Sequence, residues 1–481
     1  MPDESTRLRA VQLSRLSTRG ILLGLSGAQC LTAGAGLVIL VAALYTGGTS
    51  AAVLASPLWL AAAAITWVPV AGRPAVAWTP LVVHWWARTA TRQRRYRARV
   101  LRPRPAGTLA LPGDAACLRQ VVDPETGAVL VHDPHAATLT AVLAVSHPSF
   151  ALLDPGEQRR RVEAWGRVLA GACRSGRVAR LQVLERTVPD VGPDLAAWWA
   201  ERGHQDGSWA ARTYGELIAR ASGERHLSTI SLALDMRAAS RAIRAAGGGM
   251  RGAGAVMRQE MGTLTTALRA GELHPEGWLT DAELAAVLRS AYDPGAGTVL
   301  DRHHEIGRDL ASAGPLALEE SWDTLRSDSA VHAAYWVADW PRAQVYPGFL
   351  QPLLLTPGVR RAFTVLVEPI PVQKAARAIR RTKTEQLSDA AQRRRLGQLE
   401  DVEQSAQLTD VLRQEADLAE GHGIVRYAGL LAVSAPTPSQ LSAARAALEQ
   451  AAVQSGCELR LLVGQQAQGF AAAALPLTRG L

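Results

Sequence analysis

The sequence predicts an α+β protein with an N-terminal two-helix transmembrane hairpin followed by a cytoplasmic α+β body. Three observations predict it: a long uncharged segment near the N-terminus, basic flanks on both sides of it, and a body in which short strands alternate with capped helices. Between Arg19 and Arg73 stand 53 residues without one charged side chain. A membrane span needs about 20 apolar residues, so the segment is too long for one span and fits two. The first is expected at about residues 21–44 and the second at about 51–70, joined by the small polar turn Thr46-Gly47-Gly48-Thr49-Ser50. A signal peptide is excluded, because its apolar core runs only about 7–15 residues and ends at a cleavage site. Gly24, Gly27, Gly34 and Gly36 suit close packing of two membrane helices, and equally suit a lipid environment that tolerates glycine.

The flanks orient the hairpin. Residues 1–104 carry thirteen arginines and two acids. Basic flanks mark the cytoplasmic side, so both ends and the body are expected in the cytoplasm, with only the turn outside. The whole chain has a formal charge of +9, which leaves the body after residue 104 at −2. The high isoelectric point therefore belongs to the membrane flank, and no nucleic-acid partner is expected. Residues 72–105 form an Arg/Trp-rich juxtamembrane segment. Trp78, Trp85, Trp86, Arg88, Arg92, Arg94, Arg95, Arg97 and Arg99 are its candidate membrane-interface anchors, on an amphipathic helix lying among lipid headgroups. Cys30, Cys117, Cys173 and Cys457 have no paired spacing and read as free thiols.

In the body, a domain over 106–325 is expected to begin with strands at 118–122, 128–132 and 138–145, separated by Asp-Pro turns. Asp154-Pro155-Gly156-Glu157 opens a helix with a cap, a proline at the first position and an acid three residues on. A strand follows at 178–184 and another at 227–234. The middle is mostly helical, with a capping box at Thr280-Asp281-Ala282-Glu283. Residues 326–481 read strand–helix–strand–helix–strand, a ferredoxin-like domain. Its first helix is expected to extend into projecting helices over 372–420, which carry nine basic and nine acidic residues. That balance suits a solvated helical face or an arm that docks on a partner.

Catalytic motifs are missing. A P-loop needs a lysine after its glycines, but Lys374 and Lys383 stand outside any glycine context, and the glycine-rich stretch 247–254 lacks one. That stretch reads as a flexible loop or a weak anion nest. His303-His304-Glu305 lacks the second histidine of a zincin helix, and His132 and His135 flank a turn without an identifiable third ligand. No metal, cofactor or catalytic residue is expected.

Val131-His132-Asp133-Pro134-His135, Leu152-Leu153-Asp154-Pro155-Gly156-Glu157-Gln158, Leu184-Glu185-Arg186-Thr187-Val188-Pro189-Asp190 and Tyr335-Trp336-Val337-Ala338-Asp339-Trp340-Pro341 resemble a family of actinobacterial membrane proteins, mainly from Streptomyces and its relatives. The resemblance runs over nearly the whole chain, and its motifs report no chemistry. That family is similar to a PrgI-like two-helix membrane module joined to the N-terminal non-ATPase domain of TraC/TrbE-type type IV secretion ATPases. Gln468-Gly469-Phe470 and Leu475-Pro476-Leu477 resemble the point where that domain meets the ATPase core, and the sequence ends at Leu481 without one. The resemblance implies a non-catalytic inner-membrane scaffold of a type IV secretion or conjugation-like machine. It implies membrane lipids, a separate P-loop ATPase and other machine components as partners, with a homo-oligomer open. Two further readings stand beside it. One is a type VII secretion component of the EccE kind, which shares two N-terminal spans, a basic juxtamembrane segment and a cytoplasmic domain. The other is a membrane-tethered enzyme of unknown reaction.

Overall fold

A computed structural model describes residues 26–70, 73–99, 105, 107–146, 150–189, 193–204, 206–220, 224–302, 309–341, 343, 345–395 and 402–480. The predicted N-tail 1–20, the start of the first predicted span, Gly24 and His303-His304-Glu305 lie outside these residues. Contacts divide the chain into two compact units, with the boundary between Arg94 and Arg95.

The first unit holds α1 (Gly27–Leu54), α2 (Ser56–Trp67), two-residue strands β1 (Pro69–Val70) and β2 (Arg73–Pro74), and α3 (Thr79–Ala90). Ser26 and Gln29 form a reciprocal capping box that starts α1. Non-helical backbone at Gly47 and Gly48 breaks α1 near its end, at the residues expected to form the turn. Among the described residues, only α1 is long and apolar enough to cross a membrane; α2 has 12 residues. Of the two expected spans, the first is met by a helix of spanning length, and the second falls on a shorter apolar helix. The shorter helix lies antiparallel on the longer. Gln29 Nε2 donates to Thr66 O at 3.0 Å, the Thr32 and Thr66 hydroxyls pair at 2.8 Å, and a Cβ on Gly36 would stand 2.9 Å from that of Ala62. Gly36 is therefore a packing glycine, whereas Gly34 has open space around its missing Cβ. Leu31, Leu37, Val38 and Leu58 point outward, so the pair is apolar on its outside as well as between its helices.

The second unit is built on one antiparallel sheet that contains thirteen strands among the described residues. Its elements run β3 (Arg95–Arg97), β4 (Arg119–Val122), β5 (Val129–Asp133), β6 (Thr138–Ser146), α4 (Pro155–Ser175), β7 (Val178–Pro189), α5 (Pro193–Arg202), α6 (Trp209–Arg220), β8 (Glu224–Asp235), α7 (Ser240–Ala245), α8 (Gly249–Ala270) and β9 (His274–Trp278). There follow α9 (Asp281–Tyr292), α10 (Pro294–Arg302), β10 (Ala317–Glu320), β11 (Leu325–Ser327), β12 (Ala330–Asp339), α11 (Gln351–Leu354), β13 (Arg360–Ile370), α12 (Val372–Arg395), α13 (Val402–Ala419), β14 (Ile424–Ala435), α14 (Pro438–Gln454), β15 (Glu458–Leu461) and α15 (Gln466–Ala474).

Strand order reveals a duplication. Strands β6, β7, β8 and β9 lie in the order β9-β6-β8-β7, and β12, β13, β14 and β15 in the order β15-β12-β14-β13. Each set is a split strand–helix–strand–strand–helix–strand motif. In each, the first strand also pairs on its outer side with the last strand of a preceding hairpin, β5 or β11. Each places two helices, α5–α6 or α12–α13, in the connection between its second and third strands. The expected ferredoxin-like domain had 372–420 as a crossover helix. The structure corrects this: β13 and β14 are adjacent along eleven paired residues, and α12–α13 is an insertion at their turn. The crossover is the short α11.

The two motifs join through their second strands, where Leu181–Thr187 on β7 pairs antiparallel with Arg361–Val367 on β13. Because these strands are antiparallel, α5–α6 and α12–α13 follow from opposite ends of the sheet. Three cores result. Beneath α4 and α8, Leu181, Leu232 and Met257 form one; beneath α11 and α14, Phe363, Leu431 and Leu448 form another. The opposite face carries a single core that crosses both motifs, with Leu184, Ala362, Leu430, Leu288 and Phe470. Strands buried on both faces read as unbroken apolar runs, as in Leu430-Leu431-Ala432-Val433.

That shared core is closed by the C-terminal segment 466–479, which lies as a strap across the sheet. Gln466 bonds both backbone groups of Ala334 on β12. Thr364 on β13 donates to Ala473 O at 2.8 Å. Gln182 on β7 donates to Leu475 O at 2.9 Å and accepts from Thr478 N at 2.6 Å. Ser231 on β8 donates to Pro476 O at 2.8 Å, Thr140 on β6 meets Thr478, and Arg479 pairs with Asp133 at the end of β5. Gln182, Ser231 and Thr364 are thus partners that the strap's backbone requires once water is excluded.

Replacing Gln182 by leucine strips Thr478 N of its partner in a dry site and removes the Gln182 amide's bonds to Leu475 O and Ala472 O. Urea unfolding is expected to register a loss of about 3–5 kcal/mol, and a loss below about 1 kcal/mol contradicts the strap's role. His332 supplies a second test. Ser327 and Ser434 hold its two ring nitrogens at 2.6 and 2.7 Å. Burial, then the Arg360 charge, lower its pKa from 6.5 to about 3. Between these values the unfolded chain binds one proton that the folded chain does not, so stability is full above pH 6.5 and falls as pH drops toward 3. The slope is about 1.4 kcal/mol per pH unit, and His332→Gln is expected to remove that one-proton slope from unfolding curves between pH 4 and 6.

Candidate functional site

The predicted interface anchors are divided by the structure. Trp78, Trp85, Trp86, Arg88, Arg92 and Arg94 belong to the first unit, whereas Arg95, Arg97 and Arg99 belong to the second. α3 presents Val82, Val83 and Trp86 outward, and Trp86 is 70% exposed. The Arg94 guanidinium stacks 4.7 Å over the Trp85 ring. The expected helix through residue 99 is corrected: it stops at Ala90, Thr91 returns its hydroxyl to Ala87 O at 2.8 Å, and Arg92 takes a left-handed turn with φ 57°. The chain then straightens to form β3 at the sheet's margin. There Arg95 pairs with Glu319 at 2.7 Å, so it is engaged by protein.

A second basic constellation, absent from the sequence-level candidates, lies in the body. On β7 and β8, Val188 pairs with Arg225, and the β13 register brings Arg360 alongside. Arg186 stands two residues along β7 from Val188, on the same face. Arg186, Arg225 and Arg360 line one cavity of about 90 Å³, roofed by Val287 and Ser290 of α9 and Leu300 of α10. Arg186 is buried and fixed: its Nη1 donates to Val287 O at 2.9 Å and its Nη2 to Ser290 Oγ at 3.0 Å. No acidic side chain lines the cavity among the described residues. Glu185, His226 and Arg361 alternate onto the other face, where Glu185 meets His226 at 3.2 Å and Arg361 donates to Val359 O at 3.0 Å. Burial lowers the Arg361 pKa, partly offset by Glu224 and Glu185. Sequence reading missed the arginine trio because its members lie on three strands brought together only by the β7–β13 junction.

The glycine-rich stretch is corrected from loop to helix start. Gly247, Gly248 and Gly249 take positive φ and turn the chain into α8, and a Cβ on Gly252 would come within 2.4 Å of Ile243 O. These glycines serve a turn and a close helix contact. His132 lies on β5 and His135 in the following turn; burial lowers the His132 pKa. Among the described residues, no group of three or more His, Cys, Asp or Glu could hold a metal ion. All four cysteines are free, and burial raises the pKa of Cys173, and that of Cys457 to about 11.

A family model described as "Putative type VII ESX secretion system translocon, EccE" matches residues 222–337. The matched stretch runs from β8 of the first motif to β12 of the second, and supplies Arg225 and the α9–α10 roof of the arginine cavity. No curated protein matches the chain.

Proposed function

We propose that this protein is a non-catalytic membrane component of a type VII secretion machine, of the EccE kind, which holds its α+β body at the membrane surface for other components to dock on. The family match over 222–337 carries this reading. It favours the type VII alternative over the type IV scaffold, to which no comparison points. The match to a secretion translocon component also fits other secretion-machine proteins as partners, a P-loop ATPase among them.

The first unit supports the membrane part of the proposal. α1 is long and apolar enough to span. A two-pass arrangement, with both ends and the body in the cytoplasm, is favoured by the basic flanks and by the break at Gly47-Gly48. After it, residues 49–67 form a return limb laid along α1. Trp85, Trp86, Arg88 and Arg92 then stand where interfacial residues are useful. The two helical insertions suit a body that bridges partners. One, α5–α6, exposes Trp209 to 74% and packs Trp199 edge-on against Tyr214. The other, α12–α13, is laced by the Lys383–Glu415 pair at 2.6 Å.

Affinity purification of the tagged protein from detergent-solubilised membranes tests the assignment. Type VII membrane components, including their P-loop ATPase, are expected in the eluate. Recovery of the protein from the soluble fraction, or with conjugation components, contradicts it. A periplasmic-activity reporter inserted at Gly48 is expected to be active, and the same reporter after Arg104 inactive.

A further inference from the structure

We infer that the outer surface of the α4–α7–α8 layer is a docking face for anionic lipid, which lays the body against the cytoplasmic leaflet. The inference rests on the membrane reading above and deepens it. Its basis is the distribution of charge within the body. The body after residue 104 has a net charge of −2, yet α4, α7 and α8 together carry ten arginines and three glutamates. The layer therefore stands at +7 and the rest of the body at −9. The three helices cover one face of the first motif, where Val168, Ile243 and Met257 enter the same core. Their charge is left on the side turned to solvent.

Six arginines define the face: Arg167 and Arg174 on α4, Arg241 and Arg244 on α7, and Arg251 and Arg269 on α8. All six are exposed, and none has an ion-pair partner among the described residues. Arg167 and Arg174 stand on one stripe of α4, opposite Trp165 and Leu169, which pack against the core. The layer's acids do not offset them. Glu260 is engaged by Ser175 and Arg177 at 3.1 and 3.3 Å, and Glu157 meets Arg160 at 4.0 Å, which leaves Glu163 as the one exposed acid of the three.

The shape and chemistry of the face select its partner. Like charges gathered on one surface repel, and a polyanionic surface relieves that repulsion. α4 and α8 lie side by side: Arg161 reaches Glu272 at 3.9 Å at one end, and Ser175 reaches Glu260 at the other. Gly166 and Gly262, exposed on the two helices, have open space where a Cβ would stand. Such a flat layer fits a flat bilayer. Trp165 is the sole aromatic residue of these helices and is packed against the core, so no ring is free to stack on bases. The cytoplasmic leaflet is negatively charged, and each arginine near it strengthens binding about fivefold. The chain link at Arg94–Arg95 ties the body to the unit read as membrane-embedded. Weak charge contacts then act at high effective concentration.

The test is arginine footprinting of the full-length protein with phenylglyoxal, read by peptide mass spectrometry, in nanodiscs of phosphatidylcholine and of phosphatidylglycerol. Modification of the six arginines is expected to slow about fivefold or more in phosphatidylglycerol, with exposed Arg377 on α12 unchanged. Salt at about 0.5 M is expected to restore it. In Arg167→Glu/Arg174→Glu, the protection of Arg251 and Arg269 is expected to disappear at an unchanged melting temperature. Should that variant fail to fold, Arg241→Gln/Arg244→Gln is expected to weaken the protection of Arg167 and Arg174 at least fivefold or so. Equal rates in the two lipids, protection that survives in the folded variant, or protection by added duplex DNA without protection by phosphatidylglycerol overturns the inference. Failure of the membrane reading shows separately, as protein recovered outside nanodiscs of either lipid. The same footprint taken with phosphatidylglycerol vesicles then decides for or against the face.

Discussion

The ladder between β7 and β13 is the interaction on which the body depends. Seven residue pairs along it turn two motifs into one sheet. Without it each motif would end in a long strand with its backbone donors and acceptors open on one side, and such an edge invites pairing with other chains. The ladder also creates the only surface wide enough for the shared core, since Leu184 and Leu366 lie beside it and pack with residues from both motifs. The arginine cavity exists for the same reason: Arg360 comes from one motif, and Arg186 and Arg225 from the other.

Polar residues inside a sheet are usually a cost. Here they follow the path of the strap. Gln182, Ser231, Thr364 and Gln466 are fully buried and each bonds backbone that passes over or under it. The strap begins on the second motif and ends at Asp133 in the hairpin before the first, so it ties the ladder from above. Gly469 fits this path closely: a Cβ there would come within 2.6 Å of Leu462 and 3.0 Å of Ala334. The same residues, Gln468-Gly469-Phe470 and Leu475-Pro476-Leu477, drew notice in the sequence as a boundary between domains. In the fold they close a core.

Much of the local structure was legible because its causes are local. Asp154 caps α4 by accepting from Gly156 N and Glu157 N, and the Thr280–Glu283 capping box is complete. Alternation and turn residues placed β4, β5 and β6 within a residue or two of their ends. Pairing across long separations was not legible. Residues 372–420 have helical periodicity whether they cross a sheet or project from a hairpin, and the difference lies in β13 meeting β14 directly. The duplication escaped notice for a related reason: the two motifs share topology while their helical insertions differ in length and charge. As for the candidate site, the aromatic and basic anchors were visible in composition, but the separation of Arg95 from Arg94 depends on Glu319, which lies more than 200 residues away in sequence.

A rigid, strapped body suits a component that offers fixed surfaces to partners at a membrane. Rigidity across the two motifs is what that account requires, and native-state hydrogen exchange measures it directly. The account predicts that amides of β7 and β13 exchange only through global unfolding, together with those of β6, β8, β12 and β14, as one cooperative unit. Two separate exchange classes, one for β6–β9 and another for β12–β15, with β7 and β13 exchanging faster than either, would contradict it.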